Sequence, residues 1–574
     1  MPLLGSLYIG TSGLQTGQNA LNTVAHNLSN IDTEGYTRQQ IQQSDRAYVT
    51  ISTKFHGVSN MQYGLGVSYS NVKQIRDYFL DKTYRQELGR SSFYEVSYNV
   101  MEEVEYQLGE LNGEAFETDL TNLWTAVQEL AKDPSNSVTQ SLLVQRASEF
   151  LESSKAVYAG LSSYQDNLNA QIKQQVDKIN KYGKEILELN DQIRTIESGK
   201  TEHANDLRDR RNRILDELGE LCNMSYVEDV WGNVSVQIEG VDFIKGSTCY
   251  QIALDVDSST GFYTPFWPQN AKYTITETGE KKYIIDGAEV FNLDREISSE
   301  ANTDIGRLKA MVLARGDHRA NYTDISNYSE IEDSVLMNIQ AEFDQLIHNV
   351  VTAVNEILED AAGVVQGDLT LNDGTTLENA RYITAYDRYG YMREEDGRPL
   401  LLFVKEATDE FRCVTGADGV DYYVFEEEDF GINESLYTAE NIQINALLMQ
   451  SPAKLSFKLE DGSVDIKTAE ALKHAFEEEK YILNPKVQTR GTFVEYYSNL
   501  VAQVANSGSV YKSIYDNQEQ TVEATSNARD QVLAVSSDEE LSNMIRFQNA
   551  YNASSRYINV IDEMMEHLLN TLGA

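Results

Sequence analysis

Two stretches of seven-residue apolar repeat stand at opposite ends of the chain. Near the start, Leu7, Leu14, Leu21 and Leu28 recur at seven, with Leu3, Gly10, Gly17, Val24 and Ile31 on the second seam position. At the far end, Met544, Tyr551, Ile558, Met565 and Leu572 recur at seven, with Phe547, Ser554, Ile561 and Leu568 between them. Such repeats mark helices that pack on other helices. Neither helix has a partner beside it in sequence, so the two ends are predicted to meet each other or to meet copies of themselves. The first helix is predicted from about Leu4 to Ile31, roughly 40 Å at ~1.5 Å per residue. It carries Gly5, Gly10, Gly13 and Gly17, each of which weakens a helix interior by ~1 kcal/mol relative to alanine but lets a second backbone come close. The turn cluster Asp32-Thr33-Glu34-Gly35 is predicted to stop it, with Gly35 in the left-handed C′ conformation.

Residues 36–75 read as extended or irregular, punctuated by Gly64-Leu65-Gly66-Val67. Helix follows from Ile75 to about Leu221. Its clearest part has Ile172, Ile179, Ile186 and Ile193 on one seam and Leu168, Tyr182, Leu189 and Ile196 on the other, with Gln175 as a polar exception. The turn Ser198-Gly199-Lys200 and a second helix through Leu207, Ile214, Leu218 and Leu221 complete an antiparallel helical hairpin. Near Met224 the period changes: Val234, Val236 and Ile238 alternate after Trp231-Gly232-Asn233, as in a β-hairpin. Helix returns at 329–360 through Leu336, Ile339, Phe343, Leu346, Val350, Val354 and Ile357. Short strand-like runs such as Tyr422-Tyr423-Val424-Phe425 fill 361–486, and helix resumes from about Gly491 to the end.

These elements predict an α+β multidomain protein, a helical stalk built from both termini with β-rich domains inserted. The units are 1–60, a terminal helix and extended segment pairing with the terminal helix of 530–574; 61–222, a helical stalk with a hairpin, completed by 301–360 and 487–529; and two β-rich units, 223–300 and 361–486.

Composition removes several functions. At 574 residues the chain exceeds one core. Its 47 basic and 90 acidic residues give a net charge of −43, which disfavours nucleic acid and anionic membrane surfaces. The acidity suits solubility and repulsion between monomers. The cysteines, Cys222, Cys249 and Cys413, are scattered and offer no disulfide framework or zinc pair. No apolar run is long enough to span a membrane. The first 30 residues lack the pattern of a secretory signal, which leaves export by a route without cleavage open. Seven prolines suit long helices.

Chemistry-bearing residues form no constellation. His26, His56, His203, His318, His348, His474 and His567 fall in no metal-ligand spacing. Glu426-Glu427-Glu428-Asp429 reads as a solvated run, and Asp461-Gly462-Ser463-Val464-Asp465 lacks the ligand spacing of a calcium loop. No catalytic, cofactor-binding or metal residue is expected, and the chain is read as no enzyme.

The residues after the first seam carry a resemblance. Asn27-Leu28-Ser29-Asn30-Ile31-Asp32-Thr33-Glu34-Gly35-Tyr36, with Ser12-Gly13-Leu14, Gln18-Asn19-Ala20-Leu21 and Ala25, resembles the N-terminal signature of bacterial flagellar axial proteins, the rod, hook and hook-associated components. Tyr36-Thr37-Arg38-Gln39, Gly64 to Val67, Arg76-Asp77-Tyr78-Phe79-Leu80 and Arg85 resemble the hook-associated protein 1 branch. So do Leu130-Ala131-Lys132-Asp133-Pro134, Ala204-Asn205-Asp206-Leu207 through Leu218, and the run Glu540-Leu541, Asn543-Met544-Ile545, Gln548, Ala550-Tyr551, Ala553 and Arg556. The resemblance covers about 1–240, 300–360 and 490–574 and fades over 361–486. Gln140 stands where that branch has Arg. Ser537 stands where it has an apolar residue, and Ser537-Asp538-Glu539-Glu540 reads as a capping box.

The resemblance implies a structural adaptor at the hook–filament junction, outside the cell, exported through the flagellar type III apparatus without a cleaved signal. Implied partners are copies of itself in a ring layer, the hook protein, the second junction protein and an export chaperone at the C-terminal region, with no nucleic acid and no membrane insertion. The expected assembly residues are Leu7, Leu14, Leu21, Leu28, Asn27, Asn30, Gly35, Tyr36, Met544, Phe547, Tyr551, Ile558, Ile561, Met565, Leu568 and Leu572. Both termini are expected to fray in the monomer and to order on assembly, when burial of ~1.5–3 kcal/mol per large apolar side chain offsets the ordering cost. The alternatives are another axial component, or a scaffold carrying an enzymatic or adhesive domain in 361–486, marked by a deep pocket with convergent carboxylates.

Overall fold

The computed structural model describes residues 2–52, 61–109, 116–199, 203–275, 281–293, 295–385, 392–459 and 461–572. Helix α1 (Pro2–Ser29) ends slightly before its predicted stop. Asn30 closes it: its backbone N–H and side-chain amide donate to the His26 carbonyl at 3.2 and 2.9 Å. Gly35 has the positive φ, +77°, but in the turn beyond the helix rather than at C′. The stretch read as irregular forms β1 (Gln39–Asp45), β2 (Val49–Ser52), β3 (Met61–Tyr63) and β4 (Val67–Gln74), with β1 antiparallel to β4 and β2 to β3. His56 and Lys200 lie outside the described residues.

A helical body follows: α2 (Tyr78–Gln107), α3 (Phe116–Lys132), α4 (Ser137–Glu197) and α5 (Asn205–Leu221). The 61 residues of α4 run ~90 Å, far beyond the part its periodicity marks most clearly. Asp77 and Asn136 cap α2 and α4 by accepting from Phe79 N and Val138 N. Leu168, Ile172, Ile179, Ile186, Leu189 and Ile193 are buried, whereas Ile196, in the last turn of α4, is exposed. Gln140 is buried and donates to the Pro134 carbonyl at 2.8 Å, closing the α3–α4 turn without a charge.

The first β unit contains an antiparallel sheet, in order β5 (Met224–Glu228), β6 (Val234–Ile238), β7 (Val241–Lys245) and β8 (Thr248–Cys249). Two further pairs follow: β9 (Ala253–Val256) with β10 (Tyr263–Phe266), and β11 (Lys272–Ile275) with β12 (Lys281–Ile284). Val234, Val236 and Ile238 all face inward, and Asn190 of α4 donates to the Val234 carbonyl at 2.9 Å. The chain re-enters the body through α6 (Arg307–Arg315), the single turn α7 (Tyr328–Ile331) and α8 (Val335–Ala362), which begins later than predicted. Gly363, in the left-handed conformation, returns its N–H to Glu359 and Asp360 and stops α8.

The second β unit carries β13 (Val365–Thr370), β14 (Thr376–Thr384), β15 (Phe403–Lys405), β16 (Phe411–Thr415), β17 (Asp421–Phe425) and β18 (Ile442–Ile444). One sheet is ordered β13-β14-β17-β16, and β15 pairs with β18. The stretch 361–486 also contains α9 (Ala446–Gln450) and α10 (Ile466–Glu477), helices its strand-like reading did not anticipate. Ala469, Leu472, Ala475 and Phe476 of α10 are buried, and Phe476 stacks on Trp124 of α3, with ring centroids 5.5 Å apart. The last helical stretch is two helices, α11 (Phe493–Leu533) and α12 (Ser537–Leu572), parted at Ala534–Ser536. Thr492 and Glu495 form a capping box on α11. The box expected at Ser537 does not form: Ser536 caps α12, and Glu540 turns inward to other partners.

The continuous apolar core spans α2 to the first half of α11 and both β units. It includes no described residue before Phe93 or after Tyr511. Helices α1 and α12, with β1 and β4, thus form a stem outside that core.

Candidate assembly interface

Helices α1 and α12 lie antiparallel, in a register fixed by glycine. A Cβ built on Gly10 would stand 2.7 Å from Ile558 Cγ1, on Gly13 2.6 Å from Ser554 Oγ, and on Gly17 3.4 Å from Tyr551 Cα. Farther along, Asn27 meets Glu540. The contact row is therefore Gly10, Gly13, Gly17, Ala20 and Val24, the glycine-rich position of the seam. Leu7, Leu14, Leu21 and Leu28 sit on its shoulder, half-buried. Of the expected residues on α12, Ile561 is buried, Met544, Phe547, Tyr551, Ile558 and Met565 are half-buried, and Leu568 is exposed. The side chains of Leu3 and Leu572 lie outside the described residues.

An apolar row that the heptad seams do not contain, apart from Leu568, runs down the outside of α12: Tyr557, Val560, Met564 and Leu568 are all exposed, with Ile545 nearer the base and Leu569 near the tip. Their spacing of three and four is a helical period that falls largely off the two seam positions. Gly66, at φ +87°, lies against Ser12 and Ile9 of α1, and Val67 N–H donates to Ser12 Oγ at 3.3 Å. This places the Gly64–Val67 turn on the stem.

The base of the stem is a polar clamp. Asn27 is buried; its Nδ2 donates to the Gln39 carbonyl at 2.9 Å and to Glu540 Oε2 at 3.1 Å. Its Oδ1 accepts from Gln39 N–H at 3.0 Å and from the Tyr36 hydroxyl at 2.7 Å. Arg38 reaches Glu540 Oε1 at 3.0 Å and Glu539 at 2.7 Å. Burial, then the nearby Asp209, pushes the Tyr36 phenol well above its ordinary range, so it stays a donor. Asn27 Oδ1 faces two donors while its Nδ2 faces two acceptors, a match that aspartate or leucine would lose. Gly35 is exposed and takes no part beyond its turn.

Groups with chemical potential are spent on structure. Among the described residues no cluster of His, Cys, Asp and Glu could hold a metal ion. His348 is half-buried and stacks on Tyr322 at 3.8 Å between centroids. A cleft of about 380 Å³ in the second β unit has Glu394, Glu406, Asp409 and Glu410 among its lining residues. Glu394 accepts from Asn445 at 3.2 Å, Glu406 pairs with Lys155, and buried Glu410 accepts from the Lys405 N–H.

Comparison with known proteins agrees with this architecture. Residues 7–37 match the flagella basal body rod protein family and residues 533–571 the C-terminal family of flagellar basal body rod proteins FlgEFG. Between them, 101–372 match the helical domain of flagellar hook-associated protein FlgK. The chain is 24% identical to flagellar hook-associated protein 1 of Bacillus subtilis, over 98% of this chain and 96% of that one. It is 23% identical to the Escherichia coli protein of the same name, over 97% and 98%. The fold is similar to that of the flagellar hook junction protein FlgK from Burkholderia pseudomallei, with a TM-score of 0.50, 14% identity, and coverage of 79% of this chain and 100% of that one.

A stem of paired chain ends carrying the rod-type signatures defines a flagellar axial protein, a structural component of the bacterial flagellum. Within that class, the helical body matches the helical domain of hook-associated protein FlgK, and nearly the whole chain is similar to flagellar hook-associated protein 1.

Proposed function

We propose that this chain is the adaptor between hook and filament, and that copies of it join into a ring layer through their stems. The observation that carries this reading is the outer row of α12, Tyr557, Val560, Met564 and Leu568, exposed on a helix whose opposite face already pairs with α1. Contiguous exposed apolar surface on a soluble chain marks an interaction face. The half-buried leucines at 7, 14, 21 and 28 extend that face across the α1 shoulder. The hook protein and the second junction protein are its axial neighbours, and an export chaperone covers the C-terminal region before type III export, without a cleaved signal. The chain acts without catalysis; what supports this is its similarity over nearly its whole length to structural flagellar proteins.

Leu21→Asp or Ile558→Asp is expected to abolish polymerisation while the body keeps its melting transition; sedimentation and calorimetry read the two together. Loss of soluble protein would assign these residues a general folding role instead. Protease treatment is expected to trim both ends of the monomer, from the tip inward, and to spare them in the assembled form. Equal resistance in the two forms would end the disorder-to-order reading.

A further inference from the structure

The stem and the body share no apolar core, and only two chain segments cross between them, residues 75–77 and 534–536. Among the described residues most of the remaining contact is polar, beginning with the Arg38 N–H, which donates to the carbonyl of buried Leu533 at 2.9 Å. Thr37, in the loop after α1, donates to Asp209 of α5 through its hydroxyl at 2.6 Å and its N–H at 3.2 Å. Arg76 closes over the pair, 3.2 Å from Thr37 Oγ1 and 3.7 Å from Asp209, while also bonding Asp81. Gln74 donates to the Asn205 carbonyl at 2.9 Å, Asn205 donates to the Val72 carbonyl at 3.3 Å, and Asn71 meets His203 at 3.2 Å. His26 stands 3.9 Å from Asp206. Beside these contacts a cavity of about 460 Å³ opens between the 31–37 loop, α2, α5 and the end of α11.

The part-exposed contacts of this junction are worth ~0.5–1.5 kcal/mol each, the buried, charge-assisted Thr37–Asp209 bonds ~1.5–3 kcal/mol each, and few buried apolar contacts mark a region that opens at lower free energy than a packed core. The base of the stem is held better, by the Asn27–Glu540 clamp and the packing of Ala20 and Val24, so that any fraying is confined to the far tip. Rigid stem, rigid body and a polar two-segment junction are the parts of a hinge.

We infer that the stem swings as a unit on the body about residues 75–77 and 534–536, and that the Thr37–Asp209 contact is the latch that holds one angle. Asp209 is the only body side chain that binds the stem loop through both a backbone and a hydroxyl donor among the described residues. The cavity supplies the space into which the 31–37 loop moves when the latch opens. A chain that must fit beside differently oriented neighbours then changes its stem angle without unfolding either part.

Distances between spin labels test this in the full chain, with Cys249→Ser and Cys413→Ser as background and at pH 7.5, above the value of about 6 to which burial raises Asp209. One pair, Ala25→Cys with Ser542→Cys, spans the stem base; the other, Ala25→Cys with Gln174→Cys, spans stem and body. The expected result is one narrow distribution for each pair in the parent chain. With Asp209→Ala, and independently with Thr37→Val, the stem–body distribution widens at least twofold, while the stem pair and the body's melting temperature hold. An unchanged stem–body distribution in both variants overturns the latch. A broad stem-base pair in the parent overturns the rigid stem, and with it the hinge.

Discussion

Glycine at positions 10, 13 and 17 decides how closely the terminal helices approach. Each weakens α1 as an isolated helix, by ~1 kcal/mol relative to alanine, yet at Gly10 and Gly13 a methyl group would press on Ile558 and Ser554 of α12, and at Gly17 it would touch Tyr551. The strongest case is Gly10, because Ile558 Cγ1 is held near its own backbone and has little room to yield. Gly10→Val is therefore expected to part the helices near the tip, seen as faster amide hydrogen exchange in residues 5–15 and 552–562 with the body unchanged. Leu14→Ala, which trims a half-buried shoulder residue, should leave exchange near the parent level. If Gly10→Val is silent, the close approach contributes nothing to pairing.

At the scale of elements, α10 is the part whose role was least visible in sequence. Its apolar positions, Ile466, Ala469, Leu472, Ala475 and Phe476, fit a helix, but they span less than three full turns and lie in a stretch whose strand-like runs dominate its pattern. In the fold it clips the second β unit back to the body through Phe476, which stacks on Trp124 and meets Phe493 edge-on at 5.1 Å. Phe476→Ala is expected to cost ~3–5 kcal/mol, read as a lower denaturation midpoint, without altering exchange in the stem. The stem helices and the α4–α5 hairpin were legible because their periodicity is long and local. The row α1 buries was less so, since leucine signals a seam more strongly than glycine does, although glycine makes the contact. The cap of α12 lies one residue before the expected Ser537, because Ser536 and Ser537 are equivalent in pattern and only the inward turn of Glu540 distinguishes them. Contacts such as Thr37 with Asp209 join residues far apart in the chain, and nothing in local sequence announces them.

Across the whole molecule, acid groups buried along α8 and the second β unit tie stability to pH. Glu342 is buried and accepts from Asn484 at 2.7 Å and Gln503 at 2.9 Å, with the Tyr328 hydroxyl nearby; burial outweighs these bonds and raises its carboxyl to about 7. Asp344 accepts from the N–H groups of Ala439 at 2.6 Å and Tyr322 at 3.0 Å, and burial raises it to about 7 as well. Glu359, despite Arg381 at 3.0 Å, and Glu410, despite Lys405, are raised by burial to about 7. In each case the folded value lies above the unfolded one near 4, so the native state binds protons more tightly. Their contribution is fully present below about pH 4 and is lost as pH rises through 7. His318, raised to about 10 by Asp317 and Asp324, acts in the same direction above its ordinary 6.5. His348, lowered by burial, opposes them only below its ordinary 6.5, where the unfolded chain takes up its proton. Four carboxylates against one histidine set the sign. The melting temperature of the body should fall by on the order of 5 °C between pH 6 and pH 8, while hydrogen exchange in the stem, corrected for the intrinsic pH dependence of exchange, should not follow it. A body that melts at the same temperature across that range would mean that these four carboxyls keep ordinary values and that the α8 interface is insensitive to their charge.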